Sequence, residues 1–287
     1  MLDVVRLRVL LAVARKGSVT AAAKELHYSQ PSVSHHLARL EAETGARLVQ
    51  RVGRGIRLTE AGWLLAERAA EIIGRLDDAA EELAAHVGLR TGRVRLAAFP
   101  SSLGTFVPRA VTALKAGHPG LRLDLTEAEP PQALRLLRAG RADVAVIFRY
   151  DDTAPEERGI TMISLMDDPS YLVADRPVDG DLAAHADASW IAGCERCRSH
   201  LLEVCARAGF VPRVSFTSDD IVAVQALVAS GLGLTMLPGL ALRAHRHPGV
   251  EVAEIAGSTR HVYAAVHGEP PHPPPTEALL HALRKSL

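Results

Sequence analysis

Apolar residues recur at helical intervals through the first ninety positions. Leu7, Leu10, Leu11 and Ala14 follow i, i+3, i+4, i+7 spacing and predict a helix that stops at Gly17. Ala21, Ala22, Ala23 and Leu26 give a second helix a small-residue face on which another can lie close, and His27-Tyr28 makes the turn. Ser29 is a natural N-cap for a third helix, Pro31 sits in its first turn where a missing N–H costs nothing, and Val33, Leu37 and Leu40 form its buried stripe. From Thr59 an amphipathic helix is expected to run to about His86, before Gly88 and Gly92. Its Leu65, Ala69, Ile72, Leu76, Ala79 and Leu83 alternate steps of four and three, the a/d seam of a short coiled coil that would pair two chains, the alternative being that it packs on its own domain.

From Arg93 the pattern changes to short β-branched runs separated by helical stretches, which predicts an α/β domain with largely parallel strands. Strands are expected at 93–99, 121–126 and 143–148, with helices near 101–117 and 131–139. A second set follows, with strands near 160–165, 170–174, 189–192 and 213–217 and helices near 197–208 and 219–230. The run Leu232 to Pro238, strands near 250–255 and 260–266, and a closing helix at 276–285 return the chain to the first set, so two lobes joined by crossings near 165 and 265 are expected. Pro270, Pro271 and Pro273 to Pro275 read as a stiff tether before the last helix.

The outward residues at the start of the third helix suit a recognition helix. Gln30 can bond adenine in two places, Ser32 and Ser34 can bond base edges or phosphates, Pro31 offers an apolar edge to a thymine methyl, and His35 lies beside them. Arg47, Arg51, Arg54 and Arg57, around Gly53 and Gly55, follow as a hairpin-like wing whose arginines would lie along phosphates. Thr20, Ser29 and Arg39 complete the expected DNA-binding set.

Thr20-Ala21-Ala22-Ala23, Ser29-Gln30-Pro31-Ser32-Val33-Ser34, Leu40-Glu41, Gly45, Leu48, Arg51 and Leu58-Thr59-Glu60-Ala61-Gly62 together resemble the N-terminal domain of LysR-type transcriptional regulators. Two positions depart from that pattern: Val49 replaces a usual Phe, and His35-His36 stand where Arg, Lys or Gln is commoner. The resemblance implies a winged helix-turn-helix at 1–58, a linker and dimerisation helix at 59–90, and a two-lobed α/β effector-binding domain of the type II periplasmic-binding-protein fold at 91–287. Lobe I would comprise about 91–163 and 266–287, and lobe II about 164–265. It also implies homodimers or homotetramers on a double-stranded DNA operator.

Charge divides the chain in the same way. Residues 1–58 hold ten basic and four acidic side chains, net +6, whereas 59–287 hold 23 and 29, net −6, so the overall formal charge of zero conceals a basic end suited to phosphates. No stretch approaches the roughly 18 apolar residues of a membrane span, and Asp3 and Arg6 interrupt any early signal-like run, which points to the cytoplasm. Three cysteines argue against a secreted disulfide framework. The chain lacks Gly-x-Ser-x-Gly, His-Glu-x-x-His, a phosphate loop and a strand-linked Gly-x-Gly-x-x-Gly, so no enzyme and no cofactor is expected.

In open α/β sheets a ligand lies beyond the carboxyl ends of strands, near helix N-termini. Such points are Pro100-Ser101-Ser102, the segment Cys194 to Ser199 with Arg196 and Arg198, and Ser218-Asp219-Asp220, with Phe148, Arg149 and Thr235 nearby. The expected effector is a small organic anion or amino-acid-like molecule, its carboxylate held by Ser101, Ser102 or Arg149. Glu127, Glu129 and Asp219 could answer an amine on it. Cys194-x-x-Cys197 with His200 offers a second reading, a metal or redox sensor, because two thiols at this spacing can chelate zinc or be oxidised. Against it stands the single cluster, where structural zinc normally draws on two pairs. Cys205, two turns beyond Cys197, falls on the inner stripe of its helix.

Overall fold

The computed structural model describes residues 2–52, 55–86, 92–151, 153 and 159–287. Arg54, Gly53 and Gly88 lie outside the described residues, as do the side chains of Arg51 and Leu83. The chain forms two compact units, the first built on residues 1–90 and the second on most of 91–287.

In the first unit α1 (Val4–Lys16) begins where Asp3 accepts the Arg6 amide and ends at Gly17, whose φ of 62° is the left-handed cap that glycine adopts without steric cost. Ser18 caps α2 (Val19–Glu25), and Ser29 caps α3 (Gln30–Thr44) by accepting the Ser32 amide at 3.3 Å. Leu7, Leu10, Val13, Ala22, Ala23, Val33, Leu37 and Leu40 are all buried together between these helices. Strands β1 (Val49–Val52) and β2 (Gly55–Leu58) pair antiparallel as the wing. The helix α4 (Glu60–His86) starts as expected, with the Thr59 hydroxyl accepting the Gly62 amide at 3.0 Å.

The seam expected along α4 is divided. Ala66 and Ala69 are buried, and Leu65 and Ile73 half-buried, against the core of α1 to α3, whereas Leu64, Ile72 and Leu76 are exposed. The first turns of the helix therefore complete their own domain's core. Of the expected seam positions, those from Ile72 onward remain uncovered among the described residues, and Trp63 and Leu64 are exposed beside the first turns.

The second unit is one eight-stranded sheet covered by helices. In chain order its elements are β3 (Arg93–Ala98), α5 (Pro100–Leu103), α6 (Val107–Gly117), β4 (Arg122–Glu127), α7 (Pro130–Arg138), β5 (Val144–Arg149) and β6 (Ile160–Ala174). There follow β7 (Ser189–Ala192), α8 (Glu195–Arg207), β8 (Arg213–Thr217), α9 (Ile221–Ala229), β9 (Leu234–Pro238), α10 (Gly239–Ala244), β10 (Glu251–His267) and α11 (Pro274–Lys285). The sheet order is β4-β3-β5-β10-β6-β9-β7-β8.

Two pairs of expected strands are single long ones. β6 and β10 run antiparallel along each other for most of their length, and the break read near 256–259 is a shift of register between Glu254 and Thr259 around Gly257 (φ 69°). The lobes meet along these strands. Residues 261–265 pair with β5, and Val262, Ala264 and Val266 pack in the lobe I core, so the second crossing falls before 261 rather than near 265. Ile255 belongs to the lobe II core. Pro274 and Pro275 open α11 instead of forming a tether, since proline fits the first helical turn. The helix α10 was not expected, because Leu240 and Ala241 read as a continuation of the apolar run of β9.

Alternation along the strands builds lobe II. Leu172, Ala174, Trp190, Ala192, Leu234 and Met236 face α8, whereas Val173, Ile191 and Leu237 face α9 and α10. Both faces of this sheet are therefore buried, which forces the functional groups to its strand ends.

Candidate functional site

On the first unit Thr20, Ser29, Gln30, Pro31, Ser34, His35 and Arg39 are exposed, and Ser32 is half-buried behind them. Neither α2 nor α3 has an acidic residue in its first turn. All four acids of residues 1–58 are engaged elsewhere: Asp3 caps α1, Glu25 pairs with Arg15 and Lys16, Glu43 with Arg6, and Glu41 accepts the Leu48 and Val49 amides at 2.7 and 3.1 Å. Lys24, Arg39, Arg47 and Arg57 have no ion-pair partner among the described residues, so the exposed face around α3 and the wing is positive and uncompensated. The role of Glu41 in fastening the wing to α3 was not anticipated. The two histidines differ: His36 is half-buried and stacks on Tyr28 with ring centroids 5.7 Å apart, leaving His35 outward.

In the second unit a cleft opens between the lobes at the carboxyl ends of β3, β7 and β8. Pro100, Ser101, Phe148, Cys194, Ser218 and Thr235, all expected at a ligand site, line it, as do Glu129 and Asp219, expected to answer an amine, and Cys197. Five others do not line it. The Ser102 hydroxyl donates to the Phe99 carbonyl at 2.7 Å, bonding back within its own turn. Arg149 follows Phe148 on β5 and so points to the opposite face of the strand, where its Nη2 donates to the Thr153 carbonyl at 3.2 Å. Arg196 donates to the Phe148 carbonyl at 2.6 Å, Arg198 is exposed, and Glu127 is exposed at the end of edge strand β4. Thr235 lines the cleft, yet its hydroxyl donates to the Ile191 carbonyl at 2.8 Å.

The floor of the cleft is a pair that sequence reasoning missed. Arg260 on β10 is 2% exposed and Asp168 on β6 0%, the two standing opposite each other in the ladder. Arg260 Nε donates to Asp168 Oδ2 at 2.8 Å, and Nη2 donates to the Ser101 hydroxyl at 2.9 Å. Asp168 Oδ1 accepts the Leu240 amide at the start of α10, also at 2.8 Å. The guanidinium lies 4.8 and 4.4 Å from the ring centroids of Phe99 and Phe148, which meet edge to face. The signal available in the sequence was one arginine interrupting the apolar pattern of a strand.

The cysteine cluster is compact but does not gather His200. Cys194 and Cys197 place their sulfurs 3.1 Å apart at the start of α8, and both are free thiols. His200 Nε2 bonds the Ser258 hydroxyl at 2.9 Å, and its ring stacks on Tyr150 at 3.6 Å. Among the described residues no group of three or more His, Cys, Asp or Glu side chains is arranged to hold a metal ion. Cys205 is fully buried in the lobe II core, where burial pushes its thiol up to about 11. Burial also raises the Glu129 carboxyl above its ordinary value, opposed by a hydrogen bond with Cys194, while the charge of Asp219 raises it further.

Comparison with known proteins agrees with both halves of this description. Residues 4–63 match the model of the LysR-family bacterial regulatory helix-turn-helix protein, and residues 88–287 match the LysR substrate-binding domain. The chain is 29% identical over 267 residues to the transcriptional regulator TfdS of Cupriavidus pinatubonensis, covering 90% of this chain and 89% of that protein. It is 31% identical over 242 residues to the RuBisCO operon transcriptional regulator of Allochromatium vinosum, covering 81% and 78%. Among solved structures the regulator CbnR shares the fold with a TM-score of 0.68 at 23% identity, covering 99% of each chain. Full-length OxyR of Pseudomonas aeruginosa gives 0.70 at 24%, covering 99% of this chain and 95% of that one. The chain therefore belongs to the LysR family of transcriptional regulators, a DNA-binding winged helix-turn-helix joined to an effector-binding domain.

Proposed function

We propose that the exposed start of α3 reads an operator in the major groove, that the wing arginines hold its phosphates, and that a small organic effector bound in the cleft over Arg260 changes operator binding. The observation that carries this reading is the pairing of an uncompensated positive face on one unit with a buried, charge-containing cleft on the other. Gln30, Pro31, Ser32, Ser34 and His35 supply base-edge contacts, and Thr20, Ser29, Arg39, Arg51, Arg54 and Arg57 supply positioning contacts. Ile72 and Leu76 pair two copies, so that a two-fold axis doubles the contacts on a palindromic site. A solved structure of CbnR with its target DNA supports such a use of the shared fold.

The effector acts by differential affinity for two arrangements of the subunits, which alters the spacing or bend of paired half-sites. The protein works in the cytoplasm and catalyses no reaction. A gel shift on the promoter region beside its own gene tests the reading: retardation is salt-sensitive and sequence-dependent. Gln30→Ala costs about 1–3 kcal/mol of base discrimination, and Arg39→Ala lowers the salt slope by about one. Binding that is indifferent to sequence in the unsubstituted protein overturns it. A second reading, a thiol redox response, rests on the 3.1 Å separation of the Cys194 and Cys197 sulfurs, and thiol titration before and after peroxide decides it.

A further inference from the structure

The charges that line the cleft are unequal in availability. Arg260 is its cation, and that cation is already matched by the fully buried Asp168 and by the Ser101 hydroxyl. Two helix starts beside the cleft, those of α9 and α10, are likewise engaged. Asp220 Oδ1 accepts the Val222 and Ala223 amides of α9 at 2.9 and 3.1 Å, and Asp168 takes the Leu240 amide of α10. The buried side-chain group of the lining that remains is an acceptor. Glu129 Oε2 is buried with no hydrogen-bond partner among the described residues, and Asp219 is close enough for its negative charge to act on Glu129. Most of the remaining lining, such as Phe99, Ile221, Val224 and Leu237, is apolar.

A desolvated carboxylate with one oxygen unsatisfied is unfavourable by itself, and its burial is relieved by a ligand that brings the missing N–H donor and opposite charge. A carboxylate ligand would meet two like charges and a cation already neutralised. We infer, resting on the effector reading above, that the cleft selects an apolar primary amine bound as its ammonium ion, with Glu129 as counterion and Asp219 beside it. This favours the amine over the carboxylate as the recognised group.

Matched probes test this on the full-length protein: benzylamine against benzoate, and phenethylamine against phenylacetate, followed by calorimetry, melting temperature and operator gel shift. The amines bind and raise the melting temperature, and the carboxylates do neither. Glu129→Gln weakens benzylamine by about 10- to 100-fold, the loss of one charge-assisted hydrogen bond, and Asp219→Asn weakens it less. Folding of the variant is checked by its own melting temperature. Because the folded state raises the Glu129 pKa, its ionised form costs stability as pH rises above the unfolded value near 4.5, so ligand-free Glu129→Gln melts higher than the parent at pH 7. Tighter binding of the carboxylates, no binding of either amine, or unchanged benzylamine affinity in Glu129→Gln overturns the inference. A footprint that responds to the carboxylates leaves effector control intact while removing the amine. A footprint indifferent to every component of a small-molecule extract of the cell removes both.

Discussion

At the scale of single residues, Asp168 and Arg260 decide the sensor domain. They lie 92 positions apart, on the two strands that join the lobes, and together they hold Ser101, the start of α10 and the rings of Phe99 and Phe148. A buried ion pair adds little net stability, but removal of one partner strands a desolvated charge. Asp168→Asn is therefore expected to destabilise the protein by about 3–5 kcal/mol, measured by urea denaturation, whereas Arg149→Ala leaves calorimetric binding of a cleft ligand unchanged. The Arg149 result follows from strand alternation, which puts Phe148 and Arg149 on opposite faces. A sequence shows that both residues end a strand. It shows which one faces the cleft only when the helices covering that strand are known, and for that reason Arg149 was expected in the site and Arg260 was not.

At the scale of elements, most boundaries were legible because they are written locally. Gly17, Ser29, Pro31, Gly45 and Thr59 each act through groups within a few residues of themselves, by side-chain caps, a fixed φ or a left-handed turn. Gly62 differs, since its constraint is tertiary. A Cβ there would strike the carbonyl oxygen of Leu48, where the first turn of α4 crosses the entry to the wing. Gly62→Ala is expected to lower the melting temperature and weaken operator binding, whereas Ala61→Gly, on the exposed neighbour, costs only the helix propensity of about 1 kcal/mol. Equal losses for the two would show that the close approach is unimportant. The long strands β6 and β10 were read as two strands each because shifts of register and a change of covering layer interrupt the apolar pattern while each strand continues.

At the scale of the whole molecule, the exposed Ile72 and Leu76 on α4 are the surface through which two copies are expected to associate. Leu76→Glu should yield a monomer in sedimentation that retains the fold of its DNA-binding unit, because Leu76 is 46% exposed and contributes little to that core. Such a monomer binds half-sites weakly and loses the preference for palindromes. Leu65→Glu, on the half-buried side of the same helix, should instead destabilise the unit itself. A dimer that survives Leu76→Glu would place the interface elsewhere.

By itself the sequence determined the identity of the DNA-binding unit, the extent of α4 and the α/β character of the remainder, since these depend on caps, periodicity and short motifs whose causes lie within a turn or a strand. It also marked eight effector residues that line the cleft, because strand ends followed by helix starts converge in this architecture. Only the tertiary structure decided which half of the α4 seam is covered, which charges are neutralised and which acceptor is left without a partner. Burial and electrostatic pairing are properties of residues brought together from distant parts of the chain. Asp168 and Arg260 become one group, and one oxygen of Glu129 is left without a partner, only once the domain has folded around them.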